Sequence, residues 1–240
     1  MSSEGSFTSS LSSLESGQTY YYVAAAKVHD RECYGEIKSF TVLTDSDYGE
    51  AVDLGLSVMW RNCNLGATAP EEYGDFYAWG ETETKNDYSW ETYKWCQGSS
   101  TTLTKYNTDI HYGQVDNKTE LESDDDVASV KLGHNWHTPT KAEYEELLQK
   151  CKWTWTTQNG VNGVIFTSFI NGNTLFLPAT GYKWHKSHNI AGQHGMYLSA
   201  NINYRYPYIT LHFELYSGGA NLSESQTREY GYSIRPVYVE

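Results

Sequence analysis

Hydrophobic and polar positions alternate without a miss from Tyr208 to Tyr216. Ile209, Leu211, Phe213 and Leu215 fall on one side; Tyr208, Thr210, His212, Glu214 and Tyr216 fall on the other. A period of two predicts a strand with one buried face. The other side mixes aromatic rings with a base, an acid and a hydroxyl, so it reads as an outward, displayed surface. A polar loop, Ser217 to Glu229, then leads to a second predicted strand from Tyr230 to Val237.

The same reading divides the chain. Residues 1–10 are Ser-rich and read as a disordered start. Residues 11–44 form a strand fragment, with strands Tyr20 to Val28 and Gly35 to Leu43 around the polar turn His29 to Glu32. Residues 45–50 are an acidic linker, and 51–240 are a second domain. A hairpin alone is marginal in water. Tyr20, Tyr22 and Phe40 therefore call for a partner surface, either the following domain or another copy of the chain.

Within residues 51–240 a strand is expected around Val58 to Arg61, and 82–114 reads as a long ordered loop packed by its own rings. One main helix is expected at about 140–151. Thr140 to Glu143 is a capping box, and Tyr144, Leu147, Leu148 and Cys151 make one apolar stripe. Next comes a meander, Trp153 to Thr157, Gly163 to Ser168 and Thr174 to Leu177, turned at Asn159-Gly160 and Asn171-Gly172. The fold class expected from these elements is α+β.

Composition narrows the function. The chain carries 30 acids against 17 bases, a net charge of −13. Phosphate binding needs clustered Lys and Arg, so nucleic acid is excluded. No apolar run approaches membrane-spanning length, and the start lacks the apolar segment of a signal peptide, so the expectation is either a leader absent from this chain or a protein that is not exported. The 21 tyrosines suit β structure, and they also suit surfaces that grip a partner at low entropic cost.

The reactive side chains point to no metal, cofactor or catalytic group. Cys33, Cys63, Cys96 and Cys151 show no zinc spacing, and buried free thiols are favoured over two disulfides. The acids Glu120, Glu122, Asp124, Asp125 and Asp126 match no EF-hand; Asp124 capping a short helix explains them better than calcium. His185, His188 and His194 are spaced by 3 and 6, unlike a helical zinc pair, and read as loop histidines. Gly-x-Ser-x-Gly is absent.

Two resemblances add to this reading. Leu14, Gly17 and Tyr20 are similar to the tyrosine corner that ends a fibronectin type III domain, an immunoglobulin-like sandwich. From Ala51 onward the chain carries Asp53-Leu-Gly-Leu-Ser, Cys63-Asn-Leu-Gly-Ala67, Tyr73-Gly-Asp-Phe-Tyr-Ala-Trp-Gly-Glu81, Trp136-His-Thr-Pro-Thr-Lys-Ala-Glu143 and Ser233-Ile-Arg-Pro-Val237. These motifs resemble the Fibrobacter-type major paralogous domain of gut bacteria and their phages. The resemblance implies a C-type lectin-like fold of the formylglycine-generating-enzyme branch, with irregular antiparallel sheets and one main helix. It also implies kinship with the variable proteins of diversity-generating retroelements. There is one departure: Leu198 stands where family members usually have Trp.

In such proteins the C-terminal sheet and loops bind the ligand while apolar strand positions stay fixed. Carried over, the ligand-binding candidates are Trp184, His185, His188, His194, Tyr204, Tyr206, Tyr208, Thr210, His212, Glu214, Tyr216, Asn221 and Glu224. The function implied is a non-enzymatic display module for protein or cell-surface targets, placed outside a cell or on a phage particle. A glycan-binding lectin-like adhesin, with Trp153, Trp155 or Trp184 as stacking platforms, is the alternative. An oxidase like the formylglycine-generating enzymes would need a late cysteine pair, and no Cys follows Cys151.

Overall fold

The computed structural model describes residues 11, 14–15, 18–28, 31–41 and 51–239. The expected disordered start and acidic linker lie outside them. The chain divides into two compact units, residues 1–48 and 49–240.

The first unit is a hairpin of β1 (Thr19–Val28) and β2 (Arg31–Thr41), paired from Thr19↔Thr41 to Val28↔Arg31 with a bulge between Val23 and Ala25. Tyr20 Oη accepts a hydrogen bond from the Glu15 N–H at 2.9 Å, so its hydroxyl ties back to upstream backbone as a tyrosine corner does. Tyr21, Tyr34 and Ile37 are exposed.

The second unit corrects the expected fold class. Over the described residues of both units strand accounts for 43 % and helix for 10 %, and the second unit holds two short α-helices rather than one main helix. The α+β, C-type lectin-like expectation thus gives way to a mostly β unit of small antiparallel sheets. The reason is local: most segments alternate or turn within eight residues, too short and too Gly- and Asn-rich for helix.

Four strands close the unit on itself. β3 (Ala51–Val52), β4 (Met59–Arg61), β14 (Val237–Tyr238) and β5 (Trp136–His137) pair in that order, so the two ends of the unit share one sheet. The meander is β6 (Cys151–Gln158), β7 (Val161–Ser168) and β8 (Thr174–Pro178), turned at Asn159 and Gly160 with φ of 49° and 85°. A third sheet holds β11 (His194–Ile202), β12 (Ile209–Tyr216) and β13 (Gly219–Thr227). β13 occupies the stretch expected to be a polar loop. As an edge strand it is half-wet, so Ser, Glu and Gln are tolerated there. The strand expected at Tyr230 to Val237 is instead a run of single bridges, Tyr232 to Tyr77 and Ser233 to Tyr197, before β14.

The core lies where β7, β12 and α2 (Lys141–Lys150) meet. Tyr144 stacks on Phe213 at 4.6 Å and 11°, and Phe166 sits 5.9 Å from Phe213. The capping box forms: Thr140 accepts from the Glu143 N–H, and Glu143 accepts from the Thr140 N–H at 2.7 Å. The shorter α1 (Val127–Leu132) is capped by Asp126, not by Asp124. Asp126 also accepts from Thr138 N at 2.8 Å and Oγ1 at 2.6 Å, and burial pushes its carboxyl up.

Two buried arginines pin the irregular segments. Arg235 donates to Asn64 Oδ1 at 2.8 Å and to the carbonyls of Asn62 and Arg61 at 2.8 and 3.2 Å. Arg228 donates to the carbonyls of Lys105, Tyr106 and Pro207 at 2.8, 2.9 and 3.1 Å, with the rings of Trp79 and Tyr93 beside it. Backbone oxygens, joined at Arg235 by the Asn64 amide oxygen, stand in for carboxylate, and burial lowers both guanidinium pKa values. Arg228 thereby adds a tether to the loop expected to pack by its own rings, where Trp90 meets Tyr93 and Trp95 meets Tyr106.

All four cysteines are free; Cys63 and Cys151 are buried, but Cys96 is half-buried and Cys33 exposed, against the expectation of burial for all. Among the described residues no helix is long and apolar enough to cross a membrane.

Candidate ligand-binding surface

β12 is held on both flanks. β11 pairs with it from His194↔Tyr216 through Leu198↔His212, and β13 from Tyr216↔Gly219 through Ile209↔Thr227. Leu211, Phe213 and Leu215 are buried, as the alternation requires. The opposite face is where the expectation fails in part. Thr210 and His212 are fully buried and do not face solvent. The Tyr232 ring lies on His212 at 5.4 Å and 9°, and Leu198 flanks it on β11. A remote segment thus roofs this half of the strand. Thr210 turns its hydroxyl to the Leu211 carbonyl at 2.9 Å. Among the described residues neither ring nitrogen of His212 meets a hydrogen-bond partner in good geometry, and burial pushes its pKa down to about 4. Neither residue can touch a ligand, so both leave the candidate set.

The other end of the strand stays open. His194 Nδ1 lies 2.8 Å from Glu214 Oε1, and the His194 ring stacks on Tyr216 at 5.3 Å and 17°. Glu214 faces Asn221 across the β12–β13 pair. These four residues form one patch.

A short hairpin of β9 (Tyr182–Trp184) and β10 (Ser187–Asn189) supplies a second group. Its turn residue His185 takes φ of 49° and holds its Nδ1 3.5 Å from Asp87 Oδ1. Trp184 is 44 % exposed, against the Tyr230 ring at 6.0 Å, and Tyr182 stacks on Tyr230 at 5.5 Å and 15°. The Lys183–Gly231 bridge locks this hairpin to the chain end. Tyr182 and Tyr230 belong to this surface but were missed, because an isolated Tyr beside Gly carries no periodic signal. His188 donates from Nε2 to the Thr180 carbonyl at 2.7 Å and sits against Phe76. It braces the hairpin more than it displays a ring.

The third group is the loop between β11 and β12. Tyr204 and Tyr206 are exposed, and Tyr208 packs on Tyr112 at 4.9 Å. Glu224 accepts from Asn203 Nδ2 at the same loop. A cavity of about 600 Å³ opens here.

The three expected loop histidines do not converge. Among the described residues no three His, Cys, Asp or Glu side chains are placed to hold a metal ion. Trp153, one expected stacking platform, is 37 % exposed on β6, while Trp155 packs against the core.

No protein-family model, curated protein or solved structure matches the chain.

Proposed function

We propose that the chain is a non-enzymatic binding module that grips its target with the side chains around β9–β12. The observation that carries this reading is two groups of partly exposed rings braced within each group, Tyr182 and Trp184 against Tyr230, and His194 against Tyr216 on the paired strands β11 and β12. Rings held in place lose little entropy on contact, which favours them as anchors.

The kinship with retroelement variable proteins is part of the same proposal. The motifs behind it meet in space: Arg235 bonds Asn64, the Leu65 N–H donates to the Ile234 carbonyl at 2.9 Å, and Tyr77 bridges Tyr232. They build a frame, and the candidate positions hang from it. The targets proposed are proteins or cell-surface molecules outside a cell or on a phage particle.

Many copies of the coding locus from one population test this. The expected substitutions concentrate at Trp184, His185, Tyr204, Tyr206, Glu214, Tyr216, Asn221 and Glu224, and spare Thr210 and His212. Changes spread evenly over buried and exposed positions would overturn it.

A further inference from the structure

Free sheet edges in the second unit are defended, with one exception. β3 and β5 are two residues long, and β9 and β10 three. β8 has five residues and ends in Pro178. β13 carries Glu224 and a break in register against β12. The outer side of β11 is bridged by Gly181, Ser233 and Glu120. Short length, proline, charge, bulges and cover all keep an edge from pairing with another chain. β6 is the exception. It pairs with β7 without a break from Cys151↔Ser168 to Gln158↔Val161, and its eight residues include neither proline nor acid.

The turn decides which of its backbone groups are free. Asn159 and Gly160 make a two-residue loop with positive φ, so Gln158 and Val161 close it as a hydrogen-bonded pair. Such pairs alternate along the ladder, so Thr156, Thr154 and Lys152 also aim their N–H and C=O at β7. The Phe169 N–H donates to the Lys150 carbonyl at 2.9 Å, which keeps the same phase. Trp153, Trp155 and Thr157 therefore turn theirs outward, and among the described residues no strand meets them. Cys151, next in that series, already gives its N–H to the Leu147 carbonyl at the end of α2. Lys152, Trp153, Thr154 and Thr157 are exposed.

We infer that the β6 edge is an interface between two copies of this chain, paired antiparallel about a two-fold axis at Trp155. The free backbone set is symmetric about that residue. Trp153 of one copy meets Thr157 of the other, and each such pair exchanges both its bonds. A two-fold contact needs this self-complementarity. Thr154 then opposes Thr156 of the second copy, and Lys152 opposes Gln158. Glu71 stands beside that Gln158, accepting from Asn159 Nδ2 at 2.6 Å. A cation of one copy thus approaches an acid of the other at both ends of the contact. No acid of β6 faces another, in a chain whose net charge of −13 otherwise sets copies against each other. The inference does not depend on the binding-module reading.

Sedimentation equilibrium of the full chain, from low to high micromolar concentration, tests it. A monomer–dimer equilibrium is expected. Thr157→Pro removes one outward N–H and leaves the bonds to β7 in place, so it should weaken dimerisation about tenfold or more with circular dichroism unchanged. Thr154→Glu combined with Thr156→Glu sets like charges opposite one another and should weaken it too. Thr154→Glu combined with Thr156→Lys sets opposite charges across the axis and should restore the parent's affinity. The two charge pairs decide the matter if the proline variant does not fold. A chain that stays monomeric, a dimer indifferent to Thr157→Pro or to the two glutamates, or equal weakening by both charge pairs overturns the inference.

Discussion

The imidazole of His212 lies flat under the phenol of Tyr232, ring centroids 5.4 Å apart and planes within 9°. A titratable ring is thus sealed in the second unit, and among the described residues neither nitrogen meets a hydrogen-bond partner in good geometry. Burial holds its folded pKa at about 4, below the ordinary value of 6.5. The unfolded chain therefore takes up this proton first as pH falls. Stability is full above pH 6.5, declines toward pH 4 and levels off below it. The loss is on the order of 3 kcal/mol from this group at most. Urea midpoints from pH 7.5 to 4.5 should show the slope, and His212→Phe should flatten it. A mutant with the parent's slope would show that the proton goes elsewhere.

The buried guanidinium of Arg228 leads to a second expectation. It satisfies three carbonyls from Lys105, Tyr106 and Pro207. Arg228→Met keeps much of the volume but strands those oxygens away from water. A loss of roughly 3–5 kcal/mol is expected, as when one side of a buried charged network is removed. Trypsin should then cut first at Lys94 or Lys105, in the segment the arginine holds. Unaltered denaturation would mean that the aromatic packing alone secures it.

How much of this was legible in the sequence depends on how far apart the cooperating residues are. The Thr140–Glu143 box and the Asn159-Gly160 turn are local, and both form as expected. The alternation of β12 was legible as well, but not what covers its second face. That cover is Tyr232, twenty positions on, and nothing in the His212 neighbourhood announces it. β13 was lost for a different reason. An edge strand with only Ala220 and Leu222 packed on the core shows no clear period. Arg228 and Arg235 were passed over because arginine is ordinarily a surface residue, and only the assembled carbonyls explain their burial. Asp126, not Asp124, caps α1 because Thr138, a β5 neighbour in sequence, supplies its remaining donors.

The capping box allows a direct measurement. Thr140 and Glu143 satisfy each other's backbone N–H groups, and the Glu143 carboxylate also lies 2.8 Å from His137 Nε2. Thr140→Ala removes one acceptor and frees one side of that arrangement. A cost of about 1 kcal/mol is expected by chemical denaturation. Thr140→Ser should recover most of it. Equal destabilisation by Ser and Ala would locate the effect in the threonine methyl rather than in the cap.

Tyr216 and Tyr232 separate display from support. Each stacks on a histidine: Tyr216 on His194 at 5.3 Å, partly in solvent, and Tyr232 on His212 with no exposure at all. Truncating a buried aromatic leaves a cavity, so Tyr232→Ala should cost about 3–5 kcal/mol. Tyr216→Ala removes a partly wetted ring that rests on His194 and not on the core, and its cost should stay within roughly 1 kcal/mol. The same pair should invert in any assay of target capture by folded protein, where Tyr216→Ala weakens retention. If both truncations proved equally destabilising, Tyr216 would belong to the frame, and the open end of β12 would lose its standing as a contact surface.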